Sequence, residues 1–120
     1  MRIVLAEREA ELMEALWEHG PSTVSEVRER IPSNLAYTTV LTILRNLEAK
    51  GYVKHEEEGR AHRYAAKIRR EAAQSSALSD LAAKLFKGSS ESVLLRLVAD
   101  ERLSPQQVRR IQQLLNKTSK

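Results

Sequence analysis

The chain has 120 residues, a net charge of +4 and no cysteine, which excludes disulfides, thiol switches and cysteine-based metal sites. No apolar run approaches the roughly 18 residues that a membrane span requires, and residues 1–6 are too short and too soon followed by Glu7 to form a signal peptide. We therefore expect a cytoplasmic protein without a membrane partner, built as one small domain or as one domain with an appendage.

Three helices are predicted before residue 50. The first spans residues 7–18, and its inward stripe is expected to consist of Ala10, Met13, Leu16 and Trp17. The second begins at a capping box, Thr23-Val24-Ser25-Glu26, and ends near Ile31. Ser33 or Asn34 is expected to cap the third helix.

The third helix has one apolar face and several polar ones. Val40, Ile43, Leu44 and Leu47 recur at the i, i+3, i+4, i+7 spacing of a single helix face. The other faces carry mainly Thr38, Thr39, Thr42, Arg45, Asn46 and Ala49. Short side chains let a helix approach the major groove and offer hydroxyl groups to phosphates and methyl groups to thymine. Because three threonines within five residues suit an ordinary solvated helix poorly, this face indicates DNA contact.

A short β-hairpin with basic residues is predicted next. Its strands span residues 52–57 and 60–65, with Gly59 at the turn. Three helices followed by a hairpin are the order of a winged helix-turn-helix. Residues 1–34 hold four basic and seven acidic side chains, whereas residues 35–70 hold eight basic and four acidic ones. The basic excess thus begins with the predicted DNA-contacting helix, as an electrostatic footprint should.

From Ile68 onward the chain is predicted to be helical, in segments near 68–86, 90–100 and from an N-cap at Ser104 onward. These helices are too few and too thin to bury their apolar stripes alone, so a second copy of the chain is the simplest partner. The alternative, packing back on the winged helix, is less favoured because that domain closes its own core. The residues expected to be buried in a dimer are Leu78, Leu81, Leu85, Val93, Leu94, Leu97, Ile111 and Leu114.

The predicted fold is therefore mostly α with a small β wing. We expect an N-terminal winged helix domain at residues 1–66 and a C-terminal helical dimerisation region at residues 67–120. The residues expected to contact DNA are Tyr37, Thr38, Thr39, Thr42, Arg45, Asn46, Lys50, Arg60 and Arg63. Thr39, Thr42 and Arg45 are placed at base edges, and Arg60 and Arg63 at phosphates or the minor groove.

The third predicted helix and the turn after it carry a specific sequence motif. Residues 36–40, Ala-Tyr-Thr-Thr-Val, and the Lys50-Gly51 turn stand at a spacing that, together with positions such as Glu9, Trp17 and Tyr64, resembles the penicillinase repressor family (the BlaI/MecI/CopY group). The resemblance covers residues 7–65 strongly and 66–120 loosely. It implies a bacterial homodimeric repressor, not an enzyme, that binds a dyad-symmetric operator in double-stranded DNA and dimerises through its C-terminal helices.

Three features depart from the family pattern. Relatives often have a basic residue where this chain has Asn46, and the copper-responsive relatives use C-terminal cysteines that this chain lacks. Some relatives release DNA after cleavage between Asn and Phe, and the corresponding bond here is Arg96-Leu97. Its flanks, Leu94-Leu95 and Val98, look like buried helix, so we expect no release by that cleavage. The alternatives left open are a different regulatory protease, an unknown inducer such as a small ligand in the dimer cleft, and simple autoregulation by concentration. No cofactor is expected.

The sequence also permits other functions. A winged helix can also serve as a protein-interaction module, which the acidic residues 1–34 permit, but such a module would carry apolar or acidic residues where Thr38, Thr42 and Arg45 stand. His55 and His62 face each other if the hairpin pairs symmetrically about Glu58-Gly59. With so few ligands, an ordinary cross-strand pair beside the DNA backbone is favoured over a metal site. No nucleophile and base arrangement or phosphate-binding glycine loop indicates an enzyme.

Overall fold

A computed structural model describes residues 1–118 of the chain. Its elements are α1 (Glu7–His19), β1 (Ser22–Thr23), α2 (Val24–Arg30), α3 (Tyr37–Ala49), β2 (Val53–Glu58), β3 (Ala61–Ala66), α4 (Arg70–Leu85), α5 (Ser90–Ala99) and α6 (Pro105–Thr118). The predicted order of three helices, a hairpin and three further helices is confirmed. None of these helices is long and apolar enough to cross a membrane. The chain divides into two compact units, residues 1–77 and the residues from 78 onward.

The capping prediction is confirmed for α2 and wrong for α3. The hydroxyl of Thr23 accepts a hydrogen bond from the amide of Glu26 at 3.2 Å, and the Glu26 carboxylate accepts one from the amide of Thr23 at 2.9 Å. α3 begins after Ala36, which provides no side-chain cap. Ser33 does not cap α3 because its amide and hydroxyl both donate to the Glu11 carboxylate, at 3.2 and 3.0 Å.

The sheet is antiparallel and has three strands in the order β1-β3-β2. Each wing strand lies one residue later in the chain than predicted, and β1 was missed because a strand of two residues carries no periodicity. In the hairpin, Glu58 pairs with Ala61 and Glu57 with His62. Gly59 lies at the turn with a φ of +62°, a left-handed conformation that glycine adopts without steric cost.

The core of the first unit lies between its helices and the sheet. Its fully buried side chains include Leu12, Met13, Leu16, Val27, Val40, Leu44, Leu47, Val53 and Tyr64. Full burial of one such aliphatic side chain contributes about 1.5–3 kcal/mol. The apolar face predicted for α3 is confirmed, with Ile43 packed against the core. The stripe of α1 is rotated from the prediction, since Leu12 and Ala15 are buried and Ala10 is exposed.

The first compact unit continues past the domain boundary expected at residue 66. The indole nitrogen of Trp17 donates to the carbonyl oxygen of Ile68 at 2.9 Å, and Arg70 forms an ion pair with Glu14. The Ser76 hydroxyl accepts from the amide of Ile3 at 2.7 Å. The beginning of α4 is therefore part of the winged helix unit.

In the second unit, α5 and α6 contain no buried residue. The exposed large apolar side chains are Leu78, Leu81, Leu85, Leu94, Leu95, Leu97, Val98, Leu114 and Leu115. Leu94, Leu95 and Val98 are exposed, so the prediction that they are buried is wrong for the described residues of the single chain. Val93 and Ile111 are half-buried. The predicted start of α6 is confirmed, because the hydroxyl of Ser104 accepts from the amide of Gln107 at 3.1 Å.

Candidate nucleic-acid interface

α3 presents a polar face to solvent. Its exposed residues include Tyr37, Thr38, Thr39, Thr42, Arg45 and Asn46, all of which belong to the DNA-contacting set expected from the sequence. The opposite face is anchored by fully buried Val40, Leu44 and Leu47. Because one face is fixed in the core, the other face is held outward as a rigid surface.

Thr42 has a hydrogen-bond partner within α3 for its hydroxyl group. Its hydroxyl donates to the backbone carbonyl of Thr38 at 2.9 Å, so the hydroxyl proton is already used within the helix. Its oxygen can still accept a hydrogen bond, and its methyl group can contact an apolar atom. A phosphate oxygen needs a donor, so Thr42 is better suited to a base edge than to the phosphate backbone.

A cleft of about 310 Å³ lies between the start of α2, the face of α3 and the hairpin. Its lining residues include Tyr37, Arg45, Arg60 and His62, with Thr23 and Ser25 from the start of α2. Arg45 comes from the helix, whereas Arg60 and His62 come from the hairpin. Three nitrogen donors from two elements thus converge on one depression, an arrangement that suits an anion such as a backbone phosphate.

Arg45 acts electrostatically on Tyr64, a residue of β3. Burial and then the charge of Glu48 raise the pKa of the Tyr64 hydroxyl, while the charge of Arg45 and its hydrogen bond to Tyr64 partly oppose that rise. Tyr64 is buried in the core. Arg45 and the buried Tyr64 are therefore electrostatic neighbours.

The two wing arginines differ in their partners. Arg63 donates to Glu58 at 2.7 Å and to Glu26 at 3.2 Å, and these carboxylates hold its pKa above its usual value. Glu26 lies 37 positions from Arg63 in the sequence, so no local pattern indicates this partner. Arg60 is exposed and forms no ion pair with any residue from 1 to 118. Its charge is thus available to a ligand, whereas that of Arg63 is already balanced.

Lys50 points to α1. Its ammonium group donates to both carboxylate oxygens of Glu9 at 2.8 Å. Burial raises the pKa of Glu9. The hydrogen bonds from Lys50 and from the amide of Ala6 lower that pKa by more than burial raises it, so the pKa of Glu9 lies below its usual value. The charge of Lys50, a member of the expected DNA-binding set, is therefore already paired with Glu9.

The hairpin histidines are not direct partners. His55 pairs with Tyr64 and His62 with Glu57, so the expected symmetric pairing is wrong because the turn is displaced by one residue. The two rings are nevertheless stacked, with centroids 4.9 Å apart and planes at 6°. His55 Nδ1 lies 2.6 Å from a carboxylate oxygen of Glu48. Among residues 1–118, no cluster of three or more histidine, cysteine or acidic side chains is suited to a metal ion.

Comparison with known sequences places these features in a family context. A family model described as penicillinase repressor matches residues 5–117. The transcriptional regulator BlaI of Mycobacterium tuberculosis is 42% identical over 64 residues, which are 51% of this chain and 46% of that protein, so the match spans about half the length of this relative. The penicillinase repressor of Bacillus licheniformis is 23% identical over 113 residues, covering 92% of this chain and 88% of that protein.

Solved structures give a similar result. The solution structure of monomeric Bacillus licheniformis BlaI in complex with the blaP half-operator is 27% identical, with a TM-score of 0.51, and covers 59% of this chain and 89% of that one. MepR, a transcription regulator of the Staphylococcus aureus multidrug efflux pump MepA, has a TM-score of 0.52 at 14% identity and covers 95% of this chain and 77% of that one. At that identity, the second likeness shows the fold alone.

Proposed function

The chain belongs to the penicillinase repressor family, and from this premise we propose that it represses transcription by binding a dyad-symmetric promoter operator as a homodimer. The family is one of transcriptional repressors and not of enzymes. The observation that carries the proposal is the exposed polar face of α3, which adjoins the cleft where Arg45, Arg60 and His62 converge. Because monomeric BlaI of Bacillus licheniformis is bound to a half-operator, we assign one half-site to each winged helix of this protein.

The side chains of α3 have different roles in this proposal. Thr39, Thr42 and Arg45 contact base edges, while Tyr37 and Thr38 contact the backbone at the start of the helix. Asn46 is exposed on the same helix and lies beside these contacts. Arg60 binds a phosphate from the wing, and Arg63 and Lys50 contribute chiefly by holding the fold, since their charges are paired.

A second copy of the chain is the partner that we assign to the second unit. The support is the set of leucines that α4, α5 and α6 leave exposed, including Leu78, Leu94, Leu97 and Leu114. An isolated chain that exposes so many large apolar side chains is expected to associate. Two linked winged helices also raise the effective concentration of the second half-site contact, which compensates for the modest net charge of +4.

Release from DNA requires a further partner. We infer action in the bacterial cytoplasm, where promoter DNA is found, with a regulatory protease or an unknown inducer as the further partner. The bond between Arg96 and Leu97 lies within α5, whose side chains are exposed but whose backbone is helical. A protease would have to unfold this helix locally before cleaving it.

The decisive experiment recovers genomic DNA fragments on the purified protein and then measures affinity for a selected fragment at increasing salt. A repressor should show a steep linear fall of log K with log salt concentration, because bound phosphates release counterions. A protein-interaction module would select no common sequence and give a flat response. That outcome would reject the proposed function.

A further inference from the structure

A stack of rings connects the hairpin to the end of α3. The His55 ring lies 4.9 Å from the His62 ring and 5.4 Å from the Tyr64 ring, measured between centroids. Glu48, in the last turn of α3, contacts His55 Nδ1 at 2.6 Å. The contact between Glu48 and His55 therefore fixes the hairpin relative to the helix that carries the polar face, and the ring stack transmits that position to His62.

His62 lies at the end of this stack that faces the cleft. It lines the cleft together with Tyr37, Arg45 and Arg60, and its side chain is 42% exposed. Its own acidic neighbour is Glu57, whose carboxylate oxygen is 3.8 Å from His62 Nε2 and whose side chain is 75% exposed. An ion pair so long and so solvated is weak, so His62 Nε2 is available to an incoming ligand.

The charged and titratable groups around the stack come from three elements. Glu48 and Arg45 belong to α3, Glu57 belongs to β2, and Tyr64 belongs to β3 beneath His55. Arg60 at the turn and Tyr37 at the start of α3 complete the cleft. A backbone phosphate bound by Arg60 in this cleft would place a negative charge beside His62. A nearby negative charge favours the imidazolium form over the neutral ring.

We propose that His62 is a DNA-phosphate contact that acts in its imidazolium form, and that Glu48 and His55 are positioning residues that hold it in the cleft. The inference rests on the proposed function and adds proton uptake to it. One proton passes from solvent to the imidazole ring of His62 as the phosphate binds. Affinity for DNA then rises as the pH falls through the range in which imidazole titrates.

The test is the affinity of the full chain for a short duplex of arbitrary fixed sequence, measured by fluorescence anisotropy from about pH 8 to about pH 6 at constant salt. Such a duplex is sufficient because phosphate contacts are largely independent of base sequence. We expect the association constant to rise severalfold over this range for each bound winged helix, because the protonated ring binds a phosphate more tightly than the neutral ring. His62→Gln should abolish the rise.

Further variants distinguish a residue that contacts DNA from residues that position it. Glu48→Gln and His55→Gln should weaken the pH response while leaving the thermal unfolding transition cooperative, since neither residue touches DNA in the proposal. His19→Gln, at the end of α1 and outside the cleft, should retain the full response. If His62→Gln fails to fold, His62→Lys provides the test, because its charge is fixed over this range. The His62→Lys variant should bind the duplex tightly at both limits of the pH range, and its affinity should not change with pH.

The outcomes distinguish this inference from the function on which it rests. A pH response that persists in His62→Gln, or DNA binding by the unmodified protein that does not change with pH, overturns the proposal and leaves the repressor assignment standing. Absence of DNA binding at every pH rejects the repressor assignment itself.

Discussion

The ammonium group of Lys50, at the end of α3, is hydrogen-bonded to both carboxylate oxygens of Glu9, near the start of α1. Glu9 is only 8% exposed and also accepts a hydrogen bond from the amide of Ala6 at 2.9 Å. One acidic side chain thus caps the beginning of α1 and anchors the end of the helix that presents the polar face. The pair therefore joins the end of α3 to the start of α1.

Substitution of Glu9 by glutamine should lower the free energy of unfolding by about 1–2 kcal/mol at neutral pH. Hydrogen bonds to charged groups contribute about 1.5–3 kcal/mol, and the exposed side of Lys50 reduces that contribution through solvent screening. Urea unfolding followed by circular dichroism measures the difference. Glu7→Gln, an exposed position in the same first turn, is the matched control and should change stability little.

The effect of Glu9→Gln should disappear in acid. Burial raises the pKa of Glu9, but its hydrogen-bond partners lower that pKa by more than burial raises it. The pKa of Glu9 is therefore lower in the folded state than in the unfolded state. The stabilisation is therefore fully present above the unfolded value, about 4.3. It is lost as the pH falls below that value and through the lower folded-state pKa. An equal difference between variant and unmodified protein at neutral and strongly acidic pH would contradict this assignment.

Arg45→Ala should cost about 1–3 kcal/mol of binding free energy on a selected operator and less on random DNA, because a base contact carries sequence preference. Equilibrium titrations on both DNAs measure the two losses. Arg69→Ala removes an exposed arginine outside the cleft and controls for net charge. Equal losses from Arg45→Ala on the two DNAs would assign Arg45 to the phosphate backbone.

Neutralising Arg60 should weaken binding to every sequence and lower the slope of log K against log salt concentration by about one unit. Arg63→Gln should change that slope less, because Glu26 and Glu58 already balance the charge of Arg63. The two variants are matched in charge and both lie in the hairpin. A slope that Arg60→Gln leaves unchanged would exclude the wing from the interface.

Truncation after Ala77 should yield a folded monomer that binds a full operator much more weakly, since the linked second half-site contact is lost. Truncation after Ala66 should be less stable by about 1–3 kcal/mol, because it removes the hydrogen bond to Trp17, the buried Ala73 and the contact to Ile3. Sedimentation and thermal unfolding measure both. A protein ending at Ala77 that still dimerises would refute the assignment of the dimer interface.

Exposure of cells to a β-lactam should produce no fragment that ends near Arg96. The bond after Arg96 lies in the regular helix α5, and cleavage requires that this helix open first. Immunoblotting against an N-terminal tag follows the chain during treatment, with a promoter reporter in the same cells. Appearance of that fragment together with derepression would restore cleavage as the release mechanism.

Local signals predicted much of this fold. The capping boxes at Thr23 and Ser104 mark the starts of α2 and α6 because donor and acceptor lie three residues apart in the sequence. The spacing of Val40, Leu44 and Leu47 determined which face of α3 is buried, and hence which face is exposed. The exposed part of the candidate site was predictable for the same reason.

Contacts between distant residues were not predictable in this way. Ser33 binds Glu11 instead of capping α3, Lys50 binds Glu9, and both partners lie more than twenty positions away. The displacement of the hairpin turn by one residue depends on how β3 pairs with β1 as well as with β2. The ring stack of His55 and His62 depends on that register, so the sequence alone predicted a pair but not its geometry.

Trp17 is the chain's single tryptophan. Its indole nitrogen donates to the carbonyl oxygen of Ile68, and the guanidinium of Arg70 lies 5.7 Å from its ring centroid. Departure of the segment after the wing would remove the hydrogen bond and the cation together, and both alter the electronic environment of the indole. The intrinsic emission of the protein is therefore an optical reporter of that segment, which stopped-flow mixing with DNA or denaturant can follow without an attached dye.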